Sequence, residues 1–285
     1  MPLLCDLHTH THYSDGTFSP AELIAEAERI GLAAIALCDH NTIAGLEEFL
    51  AAAKDSTVEA IPAVEFSTDY RVDGGKIIEL HIVALLVRPA HYDSITKLVA
   101  PIAENKKKSN RALIAALQKS GYDITYDEVC AEGQGNINRA HVAGVLTKKG
   151  YTASIQEAFK TVLSPERGFY VEPARLPVFE TIEFIRSIGA VPVLAHPFLK
   201  LSESQLRTFL DKAKGHGLVG METLYSTYDE ATTALSRAIA REYGLCESGG
   251  SDFHGARKPD IALGTGKGNL AVPYEFWEKL KKFAG

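Results

Sequence analysis

The chain has 285 residues, of which 46% are hydrophobic and 23% charged, with a formal net charge of -6. That composition suits a folded protein with a sizeable core and excludes a disordered or low-complexity one, while no run of about 18 apolar residues exists to cross a bilayer. The length fits one barrel-sized domain carrying an insertion, and stable DNA binding is not expected of a chain this acidic.

In chain order, apolar runs predict strands at 3–7, 33–37, 60–64, 77–87, 191–195, 217–224 and 244–248. Helical patterns lie between most of them, at 20–30, 43–54, 177–188, 203–214, 229–243 and 274–283. The first is punctuated at both ends: Ser19 as N-cap, Pro20 in the first turn, Glu22 behind it and Gly31 as the stop. Alternating strands and helices argue for a parallel sheet wound into a barrel or an open layer, and seven strands favour the barrel. The alternation breaks near Pro101 and resumes near Pro177; between them only helices are predicted, at 101–120, 125–131, 139–149 and 154–162. Residues 1–100 and 172–285 therefore read as the barrel, and 101–171 as a helical insertion covering the substrate.

The charge is unevenly spread. Residues 101–171 hold ten Lys and Arg against seven Asp and Glu, which leaves +3 there and -9 elsewhere. A basic segment on an acidic body is suited to facing phosphate. Four cysteines, Cys5, Cys38, Cys130 and Cys246, lack C-x-x-C spacing and read as reduced core thiols. Met1 to Asp6 run directly into a motif, without a basic region and an apolar stretch before it. A cytoplasmic location away from membranes is expected.

The opening strand reads Asp6-Leu7-His8-Thr9-His10, and strand alternation turns His8 and His10 to one side, where they can share an ion. Such a pair alone is as well explained by core histidines. However, Asp15 follows in a Ser14-Asp15-Gly16 turn, His40 follows the second strand, Glu65 ends the third and His81 lies in the fourth. His196 follows the fifth, and Asp252 and His254 follow the last. Six of ten histidines thus gather at one rim, nearly all at or just beyond the C-terminal ends of strands, the face on which barrel enzymes build active sites.

These motifs, Asp6-Leu7-His8-Thr9-His10 with Ser14-Asp15-Gly16, Cys38-Asp39-His40-Asn41-Thr42, Glu65-Phe66-Ser67, His81, Ala195-His196-Pro197 and Gly250-Ser251-Asp252-Phe253-His254, resemble the PHP (polymerase and histidinol phosphatase) family of amidohydrolase-like proteins. The resemblance implies a distorted (β/α)7 barrel with up to three divalent metal ions. It implies His8, His10, Glu65 and Asp252 around one ion, Glu65, His81 and His196 around a second, and Asp15, His40 and His254 around a third. Three such ions opposed by three carboxylates keep a charge of about +3, which suits a phosphate dianion. A water activated by the metals then replaces any side-chain nucleophile. Mixed nitrogen and oxygen donors suit manganese, iron or zinc better than magnesium alone, and manganese is the expectation.

Within the insertion, Asn136-Ile137-Asn138-Arg139-Ala140-His141 places an arginine at a helix start, able to clamp a phosphate. This segment resembles the stand-alone family members that act on nucleoside 3',5'-bisphosphates or on the 5' ends of short RNA. The resemblance implies removal of a 3'-phosphate, with Arg139, assisted by His141, holding the remote phosphate. A histidinol phosphate phosphatase and a polymerase-associated module are the alternatives. Gly264-Thr265-Gly266-Lys267-Gly268 lacks P-loop spacing and reads as a turn, Phe276 and Trp277 read as packing, and Glu222 as either a ligand-orienting or a packing residue.

Overall fold

The computed structural model describes residues 2–133 and 137–285. Its strands are β1 (Cys5–Thr9), β2 (Ala34–Leu37), β3 (Glu59–Arg71), β4 (Ile77–Leu85), β5 (Leu176–Pro177), β6 (Val191–Leu194), β7 (Gly220–Tyr225) and β8 (Cys246–Gly250). Helices α1 (Pro20–Ile30) and α2 (Leu46–Ala52) follow β1 and β2. Four more, α3 (Tyr92–Lys119), α4 (Tyr126–Cys130), α5 (Arg139–Lys148) and α6 (Ile155–Lys160), fill the interval between β4 and β5. Then α7 (Val178–Ser187), α8 (Glu203–Ala213), α9 (Glu230–Tyr243) and α10 (Tyr274–Leu280) follow β5, β6, β7 and β8.

The strands form one sheet in the order β1-β2-β3-β4-β6-β7-β8, with β5 paired to Thr68 and Asp69 of β3. The expected all-parallel sheet needs correction at β4, which runs antiparallel to both β3 and β6. The reason is the connection: only residues 72–76 separate β3 from β4, whereas a parallel crossover needs a dozen or more. The pair extends from Ala63↔Leu85 out to Arg71↔Ile77, and this long hairpin distorts the barrel.

The sheet closes between β1 and the residues after β8. His10 N donates to Phe253 O and Asp252 N donates to His8 O, both at 2.9 Å. Asp6, fully buried, ties the seam: its Oδ1 accepts from Ser251 N (2.9 Å) and its Oδ2 from Ser251 Oγ and Gly264 N. Only glycine fits at 250, since a Cβ there would lie 2.5 Å from His8 Cβ and 2.6 Å from His8 N.

One core cluster joins Ile35, Leu37, Phe66, Ile82 and Leu194 to helix residues such as Leu23, Ala27, Ile182 and Phe209. Alternate residues of the same strands, Ala34, Ala36, Ile61, Ala63, Val83 and Val193, form a second cluster with Phe276 and Trp277 of α10, as period-two alternation requires. A third cluster, including Leu113, Leu117, Val129, Val142, Leu146 and Val162, lies wholly within α3–α6 and their connections. Helix α3 runs without interruption through Pro101, so the residue at which helices replace strands lies inside a helix begun at Tyr92. All four cysteines are free, with Cys5 and Cys38 buried. Among the described residues no helix is long and apolar enough to cross a membrane.

Candidate metal centre

The nine residues predicted as ligands converge on one rim. Irregular register between Asp6 and Thr9 ends β1, and the Nε2 atoms of His8 and His10 face each other at 3.1 Å. Asp252 Oδ1 lies 3.3 Å from His10 Nε2 and 3.9 Å from His8 Nε2. Glu65, at the centre, puts Oε2 3.3 Å from Nε2 of both His8 and His10 and 2.9 Å from His40 Nδ1. Its Oε1 lies 2.8 Å from His81 Nδ1 and 3.1 Å from His196 Nε2. Asp15 Oδ1 lies 3.2 Å from His254 Nε2 and 3.8 Å from His40 Nε2.

These spacings fit divalent ions. Donors about 2.0–2.2 Å from a shared ion lie roughly 3–3.5 Å from one another. Among the described residues four donor groups qualify, each with one ligand atom per residue and these atoms within 4.8 Å of one another: His10, Asp15, His40 and His254; His8, His10 and Asp252; His8, Glu65 and His196; His40, Glu65 and His81. This grouping sets His81 beside His40 and His196 beside His8, whereas the resemblance implies His81 and His196 as a pair. Among the described residues buried His10 Nδ1 has no hydrogen-bond partner, which is costly for a polar atom that holds nothing. His196, Asp252 and Asn41 have φ of 29°, 55° and 50°, a left-handed conformation that is strained outside glycine and collects at functional sites.

Electrostatics prepares the donors. Burial, with His254 and His40 close by, holds the His10 imidazole down to about 4, so it is neutral and able to ligate. Burial would also depress His81, but Glu65 and then Glu79 outweigh it and lift that imidazole to about 10. Burial opposes ionisation of Glu65, Asp15 and Asp252, yet the histidines around them, and Lys258 beside Asp252, keep all three well below the usual carboxylate range.

Supporting groups surround this set, and they include Glu222, for which the sequence left ligand orientation and packing open. Glu222 of β7, buried, accepts from His8 Nδ1 (2.7 Å) and from the strained His196 N (2.6 Å). Glu79 lies 3.2 Å from His81 Nε2 and is itself held by Arg175 Nε at 2.9 Å. Asp39, pushed up to about 6 by burial, accepts from Thr11 N (2.8 Å) and Ser14 Oγ (2.5 Å), which fixes the loop carrying Asp15. Such partners orient ligands and tune their basicity. Tyr225 and Lys258 both reach Asp252 Oδ2, at 2.7 and 2.6 Å.

Two cavities meet at Asp15, His40, Glu79, His81, Ala140 and Phe159. One, of about 210 Å³, continues to Lys106, Asn138, Arg139, Tyr170 and Arg175. The other, of about 330 Å³, continues to Lys200, Tyr225, Arg257 and Lys258, with Ile155 and Leu199 as apolar lips. Arg139 therefore lies in a cavity wall, its guanidinium carbon 4.4 Å from the Tyr170 ring centre and 5.8 Å from that of Phe159. His141 does not line either cavity: it is fully buried, and its Nδ1 meets Asn138 N and Oδ1 at 3.1 and 3.0 Å within the cap of α5. Asn136 lies outside the described residues. His12 is half-buried against Tyr13, and His216 stacks on Phe179 while bonding Glu183.

The PHP domain model matches residues 6–175. A 5'-3' exoribonuclease from Haemophilus influenzae is 32% identical over 87% of this chain and 89% of its own length. A 3',5'-nucleoside bisphosphate phosphatase from Chromobacterium violaceum is 30% identical over 87% and 86% of the two. Among solved structures, a protein from Bifidobacterium adolescentis described as a metal-dependent phosphoesterase aligns with a TM-score of 0.86 and 26% identity, covering 100% of this chain and 98% of the other. With a family match over more than half its length and relatives that share nearly all of it, the chain belongs to the PHP domain family and is a metal-dependent phosphoesterase.

Proposed function

We propose that this phosphoesterase removes the 3'-phosphate of nucleoside 3',5'-bisphosphates, releasing a 5'-mononucleotide and phosphate. The observation that carries the reading is the cavity of about 210 Å³ leading from His40 and His81 to Lys106 and Arg139. One phosphate of a small molecule can occupy the imidazole-carboxylate rim while a second meets cations. Stacking on Tyr170 holds the Arg139 fork in one plane, which favours paired hydrogen bonds to a phosphate. The activity named for the Chromobacterium violaceum relative supports the same substrate. Residues 101–171 would serve as the substrate cap over a barrel of residues 1–100 and 172–285.

In this reading His8, His10, Glu65 and Asp252, then Glu65, His81 and His196, then Asp15, His40 and His254 would hold up to three divalent ions, with manganese proposed and iron or zinc as alternatives. Such ions supply Lewis acidity, activated water and stabilisation of the departing oxygen. The chain's own contribution is to position and to exclude. Glu222 and Glu79 fix the imidazole rings, and Arg139 and Lys106 anchor the phosphate that is not cleaved. Glu79 Oε1 already faces His81 Nε2 and Arg175 Nε, and the Arg175 charge offsets the pull of that carboxylate on the amine of histidinol phosphate.

The test is phosphate release, with manganese supplied, from adenosine 3',5'-bisphosphate, AMP and histidinol phosphate in parallel. The bisphosphate is expected to dominate, and Arg139→Ala to raise KM about tenfold or more with little change in kcat, as loss of uniform binding does. Preference for histidinol phosphate, or an unchanged KM in the variant, would overturn the substrate assignment.

The second cavity favours one further reading, a 5'-3' exoribonuclease on short RNA, the activity named for the Haemophilus influenzae relative. Lys200, Arg257 and Lys258 offer cations on the far side of the rim, where a continuing strand would leave. Stepwise release of mononucleotides from a 5'-phosphorylated oligoribonucleotide would support it; an inert oligomer beside an active bisphosphate would remove it.

A further inference from the structure

Asn138 joins the two halves of this site. Its Oδ1 accepts from Ala140 N at 2.8 Å and caps α5, while its Nδ2 donates to Asp15 Oδ2 at 2.7 Å. Its backbone N donates to Nδ1 of buried His141 at 3.1 Å, and Asn110 Nδ2 holds the neighbouring Ile137 carbonyl at 2.8 Å. The peptide around Asn138 is thus anchored to both α5 and α3. The next residue is Arg139.

At the other end of this contact the two oxygens of Asp15 are divided. Oδ1 faces His254 and His40, and Oδ2 faces Asn138. A carboxylate turns broadly about its terminal bond unless its partners hold it. Ser14 Oγ gives a longer contact of 3.3 Å to Oδ1, and Lys106 and Arg139 line the same cavity as Asp15 and Asn138. The amide of Asn138 is therefore the short, directed restraint on the orientation of Asp15, and it belongs to the residue preceding Arg139.

We propose that Asn138 is a positioning residue that couples a phosphate seated at Arg139 to the ion held by Asp15, His40 and His254, so that each binds more tightly when the other is present. The proposal rests on the metal and Arg139 assignments made above. A phosphate on Arg139 restrains the first turn of α5, which keeps the Asn138 amide on Asp15 and its other oxygen turned to the ion. By linkage, the factor by which nucleotide tightens the ion equals the factor by which the ion tightens nucleotide.

The experiment measures Mn²⁺ affinity of the whole chain by chelator competition, with and without adenosine 5'-monophosphate, after subtracting manganese binding by the nucleotide itself. Asn138→Ser retains a good helix cap and removes the amide donor, whereas Asn138→Ala removes both. In the wild type, AMP is expected to tighten one ion equivalent about fivefold or more, within the usual range of coupling. In Asn138→Ser that equivalent should weaken about tenfold and the nucleotide effect vanish, with the other equivalents and Tm unchanged. Asn138→Ala should add a lower Tm to the same loss. Wild-type manganese affinity and intact coupling in Asn138→Ser would overturn the proposal. Failure of the underlying assignments would appear earlier, as a wild type that binds no manganese or an Arg139→Ala variant that binds AMP normally, and would remove the proposal with them.

Discussion

At the scale of single residues, the site divides into groups with short-range signals and groups without them. His8 and His10 are two positions apart on a strand, so their common direction follows from alternation alone. Glu222 carries no such signal: its partner His8 is 214 positions away, and a glutamate at a strand end packs as readily as it orients a ligand. One buried carboxylate nevertheless fixes the His8 ring and the strained backbone of His196. Glutamine at 222 has one acceptor oxygen where the carboxylate has two, so both donors cannot be served as before. Glu222→Gln is accordingly expected to weaken manganese binding about 10- to 100-fold while circular dichroism stays unchanged. Equal metal content in variant and wild type after dialysis would reduce Glu222 to a packing role. His141 teaches the reverse lesson, since a histidine three residues after an asparagine N-cap can complete the cap instead of reaching a substrate.

Elements were legible where punctuation is local. Helix α1 begins after Ser19, with Pro20 at its first position and a reciprocal Ser19–Glu22 cap, and ends at left-handed Gly31, as its sequence pattern predicts. Strand direction at β4 departs from the parallel pattern of its neighbours, and Asp73-Gly74-Gly75 between two apolar runs is the hairpin signal that limits the pair to antiparallel. The barrel seam is likewise a property of elements meeting. Gly250→Ala would press a methyl group into β1 beside His8 and is expected to cost about 3 kcal/mol, the upper part of the range for overpacking. Urea unfolding midpoints would measure the cost, and a midpoint equal to that of the wild type would show that the seam can open without strain.

For the molecule as a whole, charge organises function more than fold. The basic excess of residues 101–171 supplies Lys106 and Arg139 to a rim whose own side chains are histidines and carboxylates. Metal uptake should then carry a proton signature. Glu65 and then Glu79 lift the His81 imidazole to about 10, which favours its protonated form at neutral pH, and that proton must leave for the nitrogen to ligate. Manganese binding at pH 7 is expected to release protons and to weaken as pH falls, because protons compete for the same nitrogen. Calorimetry in buffers of different ionisation enthalpy would measure this, and uptake without proton release would remove His81 from the ligand set. The sequence by itself determined the candidate ligand types, their order along the chain, the barrel class and the family resemblance, because strand alternation and motif spacing are short-range properties. Glu65, by contrast, expected at the end of its strand, lies inside β3, which continues to Arg71. Only the tertiary structure decided the burial of His141, the Glu222 support, the Asn138–Asp15 contact and the two cavities meeting at the rim. Each of these depends on which distant segments come within about 3 Å, the reach of a hydrogen bond. Closing the sheet on itself sets those approaches, and no local pattern encodes them.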